Sequence, residues 1–149
     1  MDIEELVDAW RVNNVINLEL LALAADEDLE LKPGKGKTIR SNYVHLIGIR
    51  RAWAEEKLKK EAALIPKLDW KTATRKELID GLKRSSELMI NLFRKMDENK
   101  KPGKSLVNFF AYCIAHEANH RSQIEIALRI NGREPEDAVL YRLWEWGKK

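Results

Sequence analysis

Residues 105–132 read SLVNFFAYCIAHEANHRSQIEIALRING, and their spacing decides the fold. Ser105 is a suitable N-cap and Asn131-Gly132 a natural C-terminal stop, so the stretch predicts one long helix. Its apolar face runs through Phe109, Tyr112, Cys113, Ile124 and Ala127, and His116 and His120 interrupt that face midway. Four residues apart on a helix, the two imidazoles lie about 6 Å apart along the axis. A buried imidazole needs a partner, and two so placed can share one ion.

Three more segments carry helical spacing. Ile3, Leu6, Val7, Trp10, Leu21 and Ala24 mark a first helix ending near Ala25. The stretch from Asp26 to Lys37 ends in Lys-Pro-Gly-Lys-Gly-Lys and reads as an exposed loop, with Lys32, Lys35 and Lys37 solvated. A second helix is expected from Ile39 to Leu64, stopped by Pro66. After a connection over Lys67 to Ala73, Thr74-Arg75-Lys76-Glu77 is a capping box opening a third helix, with Leu78, Leu82, Met89, Phe93 and Met96 as its core stripe. Asn99 to Gly103 break the chain before the fourth helix, and Pro135 opens a short terminal one. No sustained strand-like alternation is present. The expected fold class is therefore all-α, a four-helix bundle forming one domain over residues 1–149.

Composition narrows the function. Charged residues make up 34% of the chain but leave a net charge of only +3, so no strong one-signed field favours nucleic acid. No apolar run reaches the roughly 18 residues that span a bilayer, and MDIEELVDAW lacks a basic segment followed by an apolar one. Cys113 is the single cysteine, compatible with a reducing compartment. A cytoplasmic protein without a membrane or nucleic-acid partner is expected.

His45, early in the second helix with Ile49 and Ala52 on its face, can point into the bundle and supply a third imidazole. The chain's only three histidines then all fall on core-directed helical faces. Three neutral imidazoles suit zinc, nickel, copper or iron, and leave a coordination position open for water or substrate. Asn13, Asn14 and Asn17 interrupt the first helix between Trp10 and Leu21, where one of them either supports an imidazole or faces solvent. Glu117 is a candidate proton acceptor, although its helical phase is about 100° from His116. Cys113 reads as a small buried hydrophobe.

Two familiar patterns fail, and a third, that of the zinc proteases, survives only in a loose form with Glu136 or Glu145 as its third ligand. His116-Glu117-Ala118-Asn119-His120 matches the zinc-protease H-E-x-x-H, but the extended form needs glycine at 123 and histidine at 126, where Gln123 and Ile126 stand. A di-iron site needs a second Glu-x-x-His, and the residue three before His45 is Asn42. Gly36-Lys37-Thr38 lacks the first glycine of a phosphate loop, since position 31 is Leu31.

The run His116-Glu117-Ala118-Asn119-His120-Arg121-Ser122-Gln123-Ile124, with His45, Trp10 and Asn14, resembles the DinB/YfiT-like superfamily of metalloenzymes over nearly the whole chain. Ser122 departs from the glycine common at that place. The resemblance implies up-down-down-up connections with Lys67 to Ala73 as the crossover, a divalent metal (zinc or nickel foremost) on His45, His116 and His120, and a homodimer. It implies a thiol-dependent S-transferase or a hydrolase acting on a small thiol or electrophile, with Glu117 and Asn14 assisting. The alternative is a non-catalytic metal-binding or stress-induced bundle.

Overall fold

Helix α1 (Ile3–Leu23) begins where the Asp2 carboxylate accepts the Glu4 amide, as the computed structural model, which describes residues 1–149, shows. Helix α2 (Ile39–Glu55) is capped by the Thr38 hydroxyl, which accepts the Ser41 amide at 3.0 Å. After the short α3 (Lys59–Ala63), helix α4 (Arg75–Glu98) opens on the expected capping box, with Glu77 N–H donating to Thr74 Oγ1 and Thr74 N–H to Glu77 Oε2. Helix α5 (Leu106–Ile130) is capped by Ser105. It ends in a Schellman motif: Arg133 N–H donates to Leu128 O and Gly132 N–H to Arg129 O, with Gly132 at φ 72°. A short α6 (Asp137–Arg142) follows. The chain contains no strand, and no helix is long and apolar enough to cross a membrane.

The four long helices share one core of 28 buried residues, including Trp10, Tyr43, Leu46, Leu82, Met89, Phe93, Cys113 and Ile124. Cross-helix contacts give the relative directions. Arg40 meets Ala73 O, Ile47 faces Gly81, and Arg50 reaches Leu82 O and Ser85, so α2 and α4 run the same way. Arg94 pairs with Glu4 while Arg75 reaches Leu21 O, so α1 and α4 are antiparallel. Asn42 meets His120 and Trp53 packs on Phe109, so α2 and α5 are antiparallel as well. The α2–α4 seam depends on Gly81, where a Cβ would lie 2.6 Å from Ile47 Cδ1.

Two expectations are corrected. The second helix does not run to Leu64: α2 ends at Glu55, and Leu58 (φ −131°, ψ 52°) turns the chain before α3. Residues 56–61, Glu-Lys-Leu-Lys-Lys-Glu, are good helix formers and give no local stop signal. Tertiary burial decides instead: the fold-back buries Ala62 and Ile65, and Arg51 Nε donates to Ala62 O at 3.1 Å. Nor is all of Asp26 to Lys37 an exposed loop. Asp26–Glu30 is a 3₁₀ turn in which Leu29 joins the core, and buried Asp28 accepts from Ala25 N–H and pairs with Arg133 at 2.8 Å. Residues 34–37 are exposed as expected.

Candidate metal centre

His45 is carried by α2 and His116 and His120 by α5; the antiparallel packing of these helices brings the three rings together. A nitrogen of each lies within 4.8 Å of one from each of the others. His45 Nε2 and His116 Nε2 are 3.3 Å apart, and ring centroids are separated by 5.3 Å for His45 and His116 and by 4.6 Å for each of the pairs that include His120. Two nitrogens each about 2.0 Å from one tetrahedral zinc lie roughly 3.3 Å apart, so that pair already has the spacing of co-ligands.

Protonation favours the same use. Burial lowers the proton affinity of all three rings; for His120 burial acts first and then the neighbouring His45, His116 and Lys37, bringing its pKa to about 4. Neutral imidazoles have a free lone pair. His120 directs its own: Nδ1 donates to Asn42 Oδ1 at 2.7 Å, which leaves Nε2 as the acceptor. The Asn42 amide is itself fixed, because its Nδ2 donates to Thr38 O at 3.0 Å and to Lys37 O at 3.4 Å. His116 Nδ1 is buried without a hydrogen-bond partner in the chain. Trp53 packs edge-on against His116 at 5.4 Å and Tyr112 stacks at 6.2 Å, forming an aromatic wall beside it.

Glu117, Asn13 and Asn17 are engaged with one another and with two arginines. Glu117 is turned away from its neighbour's face and is fully buried against Arg50, whose Nε donates to Oε2 at 2.8 Å and whose Nη2 donates to Oε1 at 2.6 Å. Asn13 and Asn17 donate to Oε1 at 3.0 and 2.7 Å. Burial pushes this carboxyl up, but Arg50 and the asparagine donors outweigh it and hold its pKa below the ordinary value. The side-chain oxygens of Asn13 and Asn17 each accept from Arg121 Nη1 at 2.8 Å. These two asparagines therefore neither face solvent nor touch an imidazole; they join α1 to α5. Asn14 is also buried, with no partner for its Oδ1. Cys113 is fully buried outside the histidine cluster, its thiol pushed up to about 12 by burial and then by Glu117.

Asn42 is the residue that sequence reasoning missed. An asparagine three residues before a candidate ligand histidine on a helix shares that histidine's side, and this spacing is its signal in the sequence.

Comparison of the chain with family models, with curated proteins and with solved structures finds no match.

Proposed function

We propose that this chain is a metal-dependent enzyme of the DinB/YfiT-like kind, in which His45, His116 and His120 hold one divalent transition ion, zinc or nickel foremost. The observation that carries the proposal is the His45–His116–His120 cluster with His120 oriented by Asn42. The helix directions support the up-down-down-up reading, with the 67–73 connection linking the parallel pair α2 and α4.

When bound, such an ion supplies a Lewis acid that favours the deprotonated form of a water or thiol near neutral pH. The protein's own groups do the rest. Asn42 keeps the His120 lone pair aimed at the cluster, Trp53 and Tyr112 shield one side of His116, and the Arg50–Glu117 pair fixes α5 against α2. Glu117 is proposed as an anchor for the helix that carries two ligands, in place of the proton-acceptor role expected from sequence. Three protein ligands leave room for an exogenous one, which favours chemistry over a closed structural site. The reaction class is S-transfer from a small thiol to an electrophile, or hydrolysis, in a cytoplasmic protein.

The test is calorimetric titration of chelator-stripped protein with zinc and nickel, followed by an assay of thiol consumption with a chlorinated aromatic electrophile. One equivalent of metal per chain and metal-dependent turnover are expected, with His116→Ala weakening the binding and abolishing the turnover. Turnover that survives His116→Ala contradicts the mechanism, and stoichiometric binding without turnover favours the non-catalytic bundle.

A further inference from the structure

The loop before α2 borders His45, one of the three clustered histidines. Between that loop and Trp70 lies a cleft of about 520 Å³, within the size range of small-molecule sites, and His45 lines it together with Lys32, Lys37, Thr38, Ser41 and Val44. No carboxylate lines the cleft. Neither Lys32 nor Lys37 takes part in any of the chain's ion pairs, so their charges are not neutralised from within. Trp70, 53% exposed, supplies a flat apolar wall, and Lys71 Nζ stands 4.8 Å from its ring centroid, adding a third positive group at that edge.

The lysines rise from anchored backbone. Ile39 N–H donates to Leu31 O at 3.0 Å, Asn131 Nδ2 to Lys32 O at 3.0 Å, and Asn42 Nδ2 to Lys37 O. Asn42 thus holds both the root of Lys37 and the ring of His120. Lys37 is also close enough for its charge to act on His45 and His120. These lysines, expected from sequence to be merely solvated, form one side of a recess that ends on a proposed ligand.

From this we infer that the substrate of the site carries an acidic group, a carboxylate or a phosphate, which Lys37 and Lys32 hold in the cleft beside His45 while Trp70 packs on its apolar part. The inference rests on the metal-site function proposed above for its chemical purpose, but the cleft itself consists of residues of this chain and can be tested with or without metal. Lys37 acts as a point charge on a flexible stem, so it selects for charge more than for shape.

The experiment titrates metal-free and zinc-loaded protein with benzoate, phenyl phosphate and the neutral benzyl alcohol, followed by calorimetry and by the indole resonance of Trp70. Wild type is compared with Lys37→Gln and with Lys35→Gln, which removes the same charge from outside the cleft. The expected result is that at least one anion binds five- to tenfold more tightly than benzyl alcohol and moves the Trp70 resonance. Lys37→Gln abolishes that preference, Lys35→Gln keeps it, and zinc still binds at one per chain in both. The tighter anion identifies the acid as carboxylate or phosphate. Equal affinity for anions and alcohol, or an anion preference that survives Lys37→Gln or falls equally in Lys35→Gln, overturns the inference. Failure of wild type to bind zinc overturns the proposed function instead, and the metal-free titrations still decide the cleft.

Discussion

Asn42 Oδ1 accepts a hydrogen bond from His120 Nδ1 at 2.7 Å across the α2–α5 interface. The contact links two helices that carry the proposed ligands and selects the tautomer of one of them. Removing the acceptor in Asn42→Ala frees the ring to rotate and lowers its basicity. Metal affinity should fall about 10- to 100-fold while stoichiometry stays at one, as measured by competition with a coloured chelator. Asn42→Asp retains an acceptor and should recover most of the loss. Unchanged affinity in Asn42→Ala would show that the bond has no part in ligand orientation.

Glu117 and Arg50 form a fully buried, two-bond ion pair. Glu117→Gln leaves the Arg50 charge in the core without its counter-ion, at a cost of about 3–5 kcal/mol in denaturant unfolding. Zinc stoichiometry should survive under conditions where the variant is folded. A variant that keeps wild-type stability and loses only turnover would instead return Glu117 to the role of proton acceptor.

Cys113 is buried and its thiol pKa is pushed up to about 12, so it should resist thiol reagents at neutral pH and react at once on unfolding. The sign for stability follows from linkage. Between about 9 and 12 the folded chain keeps a proton that the unfolded chain loses, so this stabilisation is complete below the unfolded value and is lost as pH rises through the folded one. Melting curves from pH 8 to 11 should therefore fall less steeply for Cys113→Ala than for wild type. Identical slopes would count against the raised value.

Gly81 lets α4 approach α2, with Ile47 Cδ1 2.6 Å from where a Cβ would stand. Gly81→Ala should destabilise the protein by about 1–3 kcal/mol despite the better helix propensity of alanine. Adding Ile47→Val removes the clashing methyl, so the double variant should lose less than the sum of the two single changes. Simple additivity would place the strain elsewhere.

Much of the bundle was legible because its signals are local. The Thr74 to Glu77 box, the Ser105 cap and the Asn131-Gly132 stop each satisfy orphan backbone groups with residues a few positions away. The break at Leu58 was not legible, because distant packing of Ala62 and Ile65 overrides a run of helix formers. At the site, the four-residue spacing of His116 and His120 put both on one face. The partners of Asn13 and Asn17 lie about a hundred positions away on α5, and no periodicity within α1 names them. A buried asparagine in a core stripe says that a polar partner exists without saying which. The place of Lys37 beside His45 is likewise set by where the loop packs, a matter of tertiary structure alone.

The metal centre proposed above consists of three imidazoles on one ion. X-ray absorption at the zinc edge of stoichiometrically loaded protein counts them, because imidazole rings produce outer-shell scattering that carboxylates and water do not. Three imidazole nitrogens and at least one further light atom are expected for wild type, with two imidazoles remaining in His120→Ala. A sulfur shell from Cys113, fewer than three imidazoles in wild type, or a spectrum unchanged by His120→Ala would contradict that ligand set.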